Sequence, residues 1–473
     1  MIKKIEAVVI GGGYAGVMAA NRLTKRADVA VTLINPRATF VERIRLHQLV
    51  GGSDDAVVEY DHVLADGVRL VVDAADRIDA AERTVTLVSG TTVSYDYLVY
   101  AVGSGTDVEQ VPGLEFAYPL NSLEEAERLR SIVDNAEAVT VVGAGPAGIE
   151  TAAELAEAGH QVTLVCGGVL GPYLHASGRR TVAARLDKLG VNIVDGPGTT
   201  VAAVTRDVVQ LADGRELPSD LTIWTAGFGV PDLAVRSGLT TDALGRLLTD
   251  ETLTSVDNER IVAAGDSAAP SDLPFRMGCQ SAVQLGPQAA ETVLSRIAGK
   301  KPVDAGVGFA GQCISLGRDI GIFQFAHRND VAISLHLRGR FGALVKEMIC
   351  KSTVWQLRTE GRRPGVMKWW MKDGKRPQLV RGARDARDVR DACGVGDVGD
   401  VGGVRGAGDV GGVRDMRGVG GGEGVGRVGG VRGAGDVGSV RDLGGVGGAE
   451  GVRGVRGAGG VRDVGDVREV SQA

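Results

Sequence analysis

Two short glycine clusters carry the clearest chemistry in this sequence. The first reads Ile10-Gly11-Gly12-Gly13-Tyr14-Ala15-Gly16 and the second Val142-Gly143-Ala144-Gly145-Pro146-Ala147-Gly148-Ile149-Glu150. Both hold G-x-G-x-x-G, at Gly11, Gly13 and Gly16 and at Gly143, Gly145 and Gly148. In this spacing one glycine makes a tight turn, one lets the backbone approach a pyrophosphate, and one lets strand and helix pack closely. The helix that follows presents unpaired N–H groups and the positive end of its dipole to an anion. Two clusters about 130 residues apart imply two dinucleotides, one per domain.

The positions that meet the ribose are less regular. Asn35 ends the strand after the first cluster, where a carboxylate is usual, and its amide can still bond a hydroxyl. The strand after the second cluster ends Val165-Cys166-Gly167-Gly168, with no acid. Arg179 and Arg180 lie downstream and can meet a 2′-phosphate or simply face solvent, so NADH and NADPH both stay open. Further on, Ile261-Val262-Ala263-Ala264-Gly265-Asp266 places an acid at a strand end, where it can reach the ribityl chain of a flavin. Gln280 and Gln284 stand four apart and share one helix face. The five cysteines, Cys166, Cys279, Cys313, Cys350 and Cys393, show no C-x-x-C and no C-x4-C. They read as free thiols in a reducing compartment, with no metal site.

These residues need a parallel-sheet frame. An apolar run over 4–10, a glycine turn, an Ala-rich helix over 15–23 and a β-branched run over 29–34 make one βαβ unit. The same order returns over 138–142, 149–158 and 161–165. This duplication predicts an α/β protein with two Rossmann-like domains. Residues 381–473 differ: Gly supplies 31 of 93 positions, Pro and aromatic residues are absent, and Arg and acidic residues balance. Such a composition predicts a low-complexity tail without a packed core. Between lies 338–376, with eleven Lys or Arg against three acids and with Trp355, Trp369 and Trp370. Basic residues interleaved with Trp suit the interface of a membrane or a protein partner, or a C-terminal region packed on its own body or on a second copy of the chain. The chain's net charge of −6 gives no argument for nucleic acid. The run 7–10 is too short for a secretory signal, and no stretch reaches 18 apolar residues, so no spanning helix is expected.

Taken in order, the motifs resemble those of the two-dinucleotide-binding-domain flavoproteins, the pyridine nucleotide–disulfide oxidoreductase superfamily. After the first fingerprint come Tyr100-Ala101-Val102-Gly103, the second fingerprint, Trp224-Thr225-Ala226-Gly227 and Ala264-Gly265-Asp266. The resemblance implies glutathione-reductase-type FAD and NAD(P) domains. FAD would contact Gly11, Gly13, Tyr14, Ala15, Gly16, Asn35, Ala101, Gly103, Gly265 and Asp266, and NADH or NADPH would contact Gly143, Gly145, Gly148 and Gly227. It divides the chain into 1–110 (FAD domain, first part), 111–250 (NAD(P) domain), 251–300 (FAD domain, second part), 301–380 (C-terminal interface region) and the 381–473 tail.

Within that superfamily, residues 40–49 lack the cysteine pair of the disulfide reductases. The segment is similar instead to type II NADH dehydrogenases and apoptosis-inducing-factor-like, ferroptosis-suppressor-like flavoproteins. Met277-Gly278-Cys279-Gln280-Ser281-Ala282-Val283-Gln284 partly matches an A-Q-x-A-x-Q element whose glutamines flank flavin and quinone. Glu150 matches a glutamate near the nicotinamide and flavin, a proton carrier or positioning group. The resemblance therefore implies hydride transfer from NAD(P)H to FAD and then two electrons to a quinone, with Glu150, Gln280 and Gln284 at the reaction. Reduction of a ferredoxin or rubredoxin, or redox-regulated partner binding, are the alternatives. The protein is expected in the cytoplasm, at the inner face of the membrane if 338–376 docks there.

Overall fold

The computed structural model describes residues 4–105, 111–227, 229–368 and 371–392. Two five-stranded parallel sheets organise them. In the first, strand Ile5–Ile10 lies between Val29–Asn35 and Tyr97–Tyr100, with Val68–Val72 and Ile261–Ala263 at the edges. In the second, Ala138–Val142 lies between Gln161–Val165 and Leu221–Trp224, flanked by Asn192–Val194 and Ala117–Pro119. The central strands are Val- and Ile-rich and buried on both faces, as parallel strands covered by helices must be. All ladder pairs in both sheets are parallel, so every strand presents its C-terminal end on one side, where ligands bind.

Helix Tyr14–Leu23 follows the first turn and helix Pro146–Glu157 the second, the latter with Pro at its first position, where a missing N–H costs nothing. The first helix is buried along its whole length. It packs on helix Cys279–Ile297 so closely that a Cβ on Gly286 would lie 2.2 Å from the Ala15 carbonyl oxygen.

The chain then forms an antiparallel meander, Gly311–Ser315, Gly321–Ala326 and Ala332–Arg338, and the 24-residue helix Gly339–Arg362. Glycines again set the approach, since a Cβ on Gly342 would lie 2.2 Å from Gly321 O. The far end of this helix is tied to the first domain. The Asn21 amide donates to Val63 O (2.8 Å) and Leu357 O (3.1 Å), and Arg22 pairs with the fully buried Glu360. A helix also spans Arg376–Ala392, so regular structure runs into the segment assigned by composition to the tail. Arg381 and Asp385 stand four apart there, a spacing that supports a helix even in a polar sequence. The rest of the tail, from 393 onward, and Trp369 and Trp370 lie outside the described residues.

Candidate functional site

Each fingerprint is bonded into its sheet in the same way. Gly11 N–H donates to Ile34 O, and Gly143 N–H to Val165 O, both at 2.9 Å. Gly11 (φ +100°) and Gly143 (φ +111°) hold left-handed backbone that favours glycine. A Cβ on Gly16 would lie 1.8 Å from Gly11 O, and one on Gly148 1.8 Å from Gly143 O. The middle glycines differ: a Cβ on Gly13 or Gly145 meets no protein atom within 4 Å. The space they leave is therefore on the outside of the turn, at a helix start with no side-chain cap and no acid in its first turn. An uncapped, acid-free helix start beside an open glycine has the shape and the free N–H groups of a cradle that would fit a pyrophosphate.

The remaining first-domain residues converge on that cradle. Ala101 N–H donates to Ile10 O at 2.9 Å, and Gly103 (φ +75°) turns the chain away. A Cβ on Gly265 would lie 2.9 Å from the Ala15 Cβ, which seats Asp266 next to the first helix. Asp266 is half-buried and accepts from Ser104 Oγ (2.7 Å) and Gly278 N (2.8 Å), so its carboxylate is held at the strand end, where ribityl hydroxyls would reach it. Asn35 is buried: its Oδ1 accepts from Gly12 N at 2.9 Å and its Nδ2 donates to Arg37 O at 2.9 Å. Tyr60 OH closes the turn from the other side by donating to Gly12 O at 2.8 Å. The Tyr14 ring is buried edge-on against Phe40, 5.1 Å between centroids. In the second domain Thr225 Oγ1 donates to Val142 O at 2.8 Å, and Gly227 (φ +72°) takes the place that Gly103 has in the first.

Gln280 and Gln284 do share one helix face, but their amides have backbone partners. Gln284 exchanges two bonds with Gly308, both at 3.3 Å, and Gln288 two with Gly306, at 2.8 and 3.0 Å. Gln280, with its amide oriented to match donor to acceptor, meets Gly311 O (3.1 Å) and Ala310 N (3.2 Å). The amides expected to face a quinone carbonyl thus stitch segment 306–311 to the helix.

Glu150 sits in a cluster that the sequence only half showed. It is 5% exposed and lies against Lys346 (7%) and His47 (4%). Lys346 Nζ and Ser315 N (2.9 Å) both donate to Glu150 Oε1, while His47 Nδ1 lies 3.6 Å from Oε2. His47 Nε2 is 3.3 Å from Ser315 Oγ. Four separate elements supply these groups. Burial works against Lys346 and Glu150, but each holds the other charged: the lysine is raised, the glutamate lowered. Burial pushes His47 down to about 4, so it is neutral. Cys279, Cys313 and Cys350 are free thiols raised by burial to about 11, 11 and 12. Among the described residues no group of His, Cys, Asp or Glu is placed to hold a metal ion.

The family model for the pyridine nucleotide-disulphide oxidoreductases matches residues 5–292, from the first strand of the first sheet almost to the end of helix Cys279–Ile297. The chain belongs to this family. It is an oxidoreductase and a flavoprotein that uses FAD and a pyridine nucleotide, and the two cradles fit those groups. An NADH dehydrogenase-like protein of Mycobacterium tuberculosis is 31% identical over 320 residues, 61% of this chain and 80% of that one. A type II NADH:quinone oxidoreductase of the same organism is 28% identical over 349 residues, 64% and 75% of the two chains. The structure of NDH2 from Plasmodium falciparum in complex with NADH shares the fold, with a TM-score of 0.65, 17% identity and coverage of 78% of this chain and 99% of that one.

The depressed His47 gives this flavoprotein a pH signature. As pH falls from 7 to 5, the unfolded chain protonates this imidazole near its ordinary value of 6.5 while the folded chain resists until about 4. The unfolded state then binds more protons, so stability falls with pH, by about 2 kcal/mol over that interval. The lowered Glu150 adds loss in the same direction, below its ordinary 4.5. Urea unfolding at pH 7 and pH 5 should show this loss, and His47→Gln should remove most of it. An equal loss in both proteins would assign the effect elsewhere.

Proposed function

We propose that this flavoprotein is an NAD(P)H:quinone oxidoreductase that works at a membrane surface. Helix Gly339–Arg362 carries the reading, because its two faces do different work. Its inner face brings Lys346 to Glu150. Its outer face exposes Phe341 (57%), Leu344 (63%), Met348 (60%) and Trp355 (59%), at helical spacing, with Arg338, Arg340 and Lys351 exposed around them. An exposed apolar stripe rimmed by cations suits the headgroup zone of an anionic bilayer, from which a lipid-soluble acceptor would arrive. Lys346 and Arg376 belong to the basic segment by sequence but not to this surface: Lys346 is buried on Glu150, and Arg376 pairs with Glu251 at 2.8 Å. Among the described residues no helix is long and apolar enough to cross a membrane.

Bound FAD would take hydride from the nicotinamide and pass two electrons to the quinone. The chain's own groups bind and position. The open turns at Gly13 and Gly145 seat the two pyrophosphates, and Asp266 orients the flavin's polyol. Gln280 and Gln284 would act indirectly, by fixing segment 306–311 against their helix. Glu150, held as a carboxylate by Lys346, would serve as a positioning group that fixes helix Gly339–Arg362 against the second fingerprint.

The test is rapid-mixing absorbance of the flavin band, at about 450 nm for oxidised flavin. The protein is reduced anaerobically with NADH or NADPH and then mixed with a soluble quinone, or with vesicles of anionic lipid carrying a long-chain quinone. Fast recovery with both, and loss of the vesicle reaction alone in Leu344→Glu/Met348→Glu, is the expected result. Reduced flavin that quinone does not reoxidise, but a ferredoxin or rubredoxin does, would overturn the quinone reading and leave the hydride half standing.

A further inference from the structure

The matching bonds of the two fingerprints isolate one position in the second nucleotide site. Because Gly11 bonds Ile34 O and Gly143 bonds Val165 O, the next residues, Asn35 and Cys166, occupy the same place in the two sheets. That place, at the carboxyl end of the second strand, is where a carboxylate ordinarily takes the adenosine ribose hydroxyls of NADH. Such a carboxylate favours NADH twice. It accepts from the 2′-hydroxyl, and it repels the 2′-phosphate of NADPH.

Cys166 does neither. Its side chain is half-buried, 3.9 Å from Leu164 O, and its backbone N–H is engaged by Val194 O at 2.8 Å. Burial, with Asp195 nearby, raises the thiol to about 12, so it carries no charge at neutral pH. The chain then opens out. Gly167 (φ +63°) and Gly168 (φ +141°) follow, and a Cβ on either meets nothing within 4 Å. The charged group that acts on this thiol is the exposed Asp195 beyond the next strand, while Arg179 and Arg180 lie downstream on helix Ala176–Lys188. Arg179 Nη2 donates to Leu174 O at 3.4 Å, its Nε is buried without a hydrogen-bond partner, and Arg180 is exposed.

We propose that the second site accepts NADPH as well as NADH, with Cys166 the specificity-determining position that leaves the two nearly undistinguished. This rests on pyridine-nucleotide use by the family and not on the quinone reading.

The experiment uses the full flavin-loaded chain. Flavin reduction is followed by anaerobic rapid mixing with NADH and with NADPH, and binding of ADP and of 2′,5′-ADP is measured by titration calorimetry. The acceptor plays no part, so failure of the quinone reading leaves the result intact. The efficiencies of the two nucleotides should agree within about tenfold, and 2′,5′-ADP should bind within about tenfold of ADP. Cys166→Glu should shift the NADH:NADPH ratio toward NADH by about a hundredfold, the effect of a charge placed a few ångströms from a phosphate. A preference of the unaltered chain for NADH beyond about a hundredfold, or calorimetric binding of ADP without 2′,5′-ADP, would overturn the proposal. So would an unchanged ratio in a Cys166→Glu protein that still reduces its flavin with NADH. If that variant fails to load flavin, the ratio and the calorimetry on the unaltered chain decide.

Discussion

Lys346→Met should lower the unfolding free energy by about 3–5 kcal/mol, the cost of leaving one member of a buried ion pair alone. Lys346 and Glu150 are 196 positions apart and both nearly inaccessible to water. With the ammonium gone, Glu150 keeps only the Ser315 N–H and a neutral imidazole against its charge. It must then be buried charged without its counter-ion or take up a proton. The pair also ties helix Gly339–Arg362 to the helix of the second fingerprint, so the damage should spread to their contact. The double variant Lys346→Met/Glu150→Leu removes both charges and should recover most of the loss, since apolar side chains of similar volume replace a buried pair at little cost. Urea unfolding of the two singles and the double closes the cycle. A Lys346→Met protein as stable as its parent would show that the pair is hydrated and contributes little.

Gly13→Ala should remove flavin from an otherwise intact protein, weakening FAD binding by about a hundredfold through one methyl group in the pyrophosphate's path. Gly13 has φ −80°, ψ −167°, which alanine adopts freely, and its Cβ would touch no protein atom. Nothing in the fold therefore opposes the change. Gly16→Ala makes the contrast: its Cβ would collide with Gly11 O and break the turn itself. Circular dichroism and flavin absorbance after gel filtration separate the two cases. The first should be folded and colourless, the second colourless and unfolded. A yellow Gly13→Ala protein would mean that the pyrophosphate does not pass this turn.

The two cradles were legible in the sequence because their constraints are local. Gly11 and Gly16, or Gly143 and Gly148, restrict one another within six residues, and the flanking Val-rich strands announce a parallel sheet. Asp266 was legible for a related reason, as it ends a strand at a fixed place in the family's order of motifs. The charge cluster was not. Glu150 stood out only by following a fingerprint. Lys346 was counted with a basic surface segment because nothing in its neighbours reveals that one helix face turns inward. His47 lies in a short helix with no periodic signal, and its meeting with Glu150 depends on packing between distant segments. The glutamines show a subtler limit. Their spacing gave the shared face, but a side chain that can pair with a ligand carbonyl can pair as well with a backbone carbonyl, and the choice depends on which segment packs against the helix.

That glutamine face works as a vernier between two kinds of secondary structure. Four residues of helix advance about 6.0 Å, and two residues of extended chain about 6.6 Å. Glutamines at 280, 284 and 288 can therefore mark off alternate backbone units of 306–311, running in the opposite direction. On its other side the same segment is hemmed in, because a Cβ on Gly308 would lie 2.8 Å from the Met371 carbonyl carbon and one on Gly306 2.9 Å from Lys372 Cδ. Its reading frame is thus set by side chains on the helix side, while at its far end Ala310 O accepts from Ala326 N at 3.0 Å and Gly311 pairs with Phe325. A one-residue insertion would put every rung out of step by about half a repeat, so a stretch that reads as an ordinary loop is held to a fixed length.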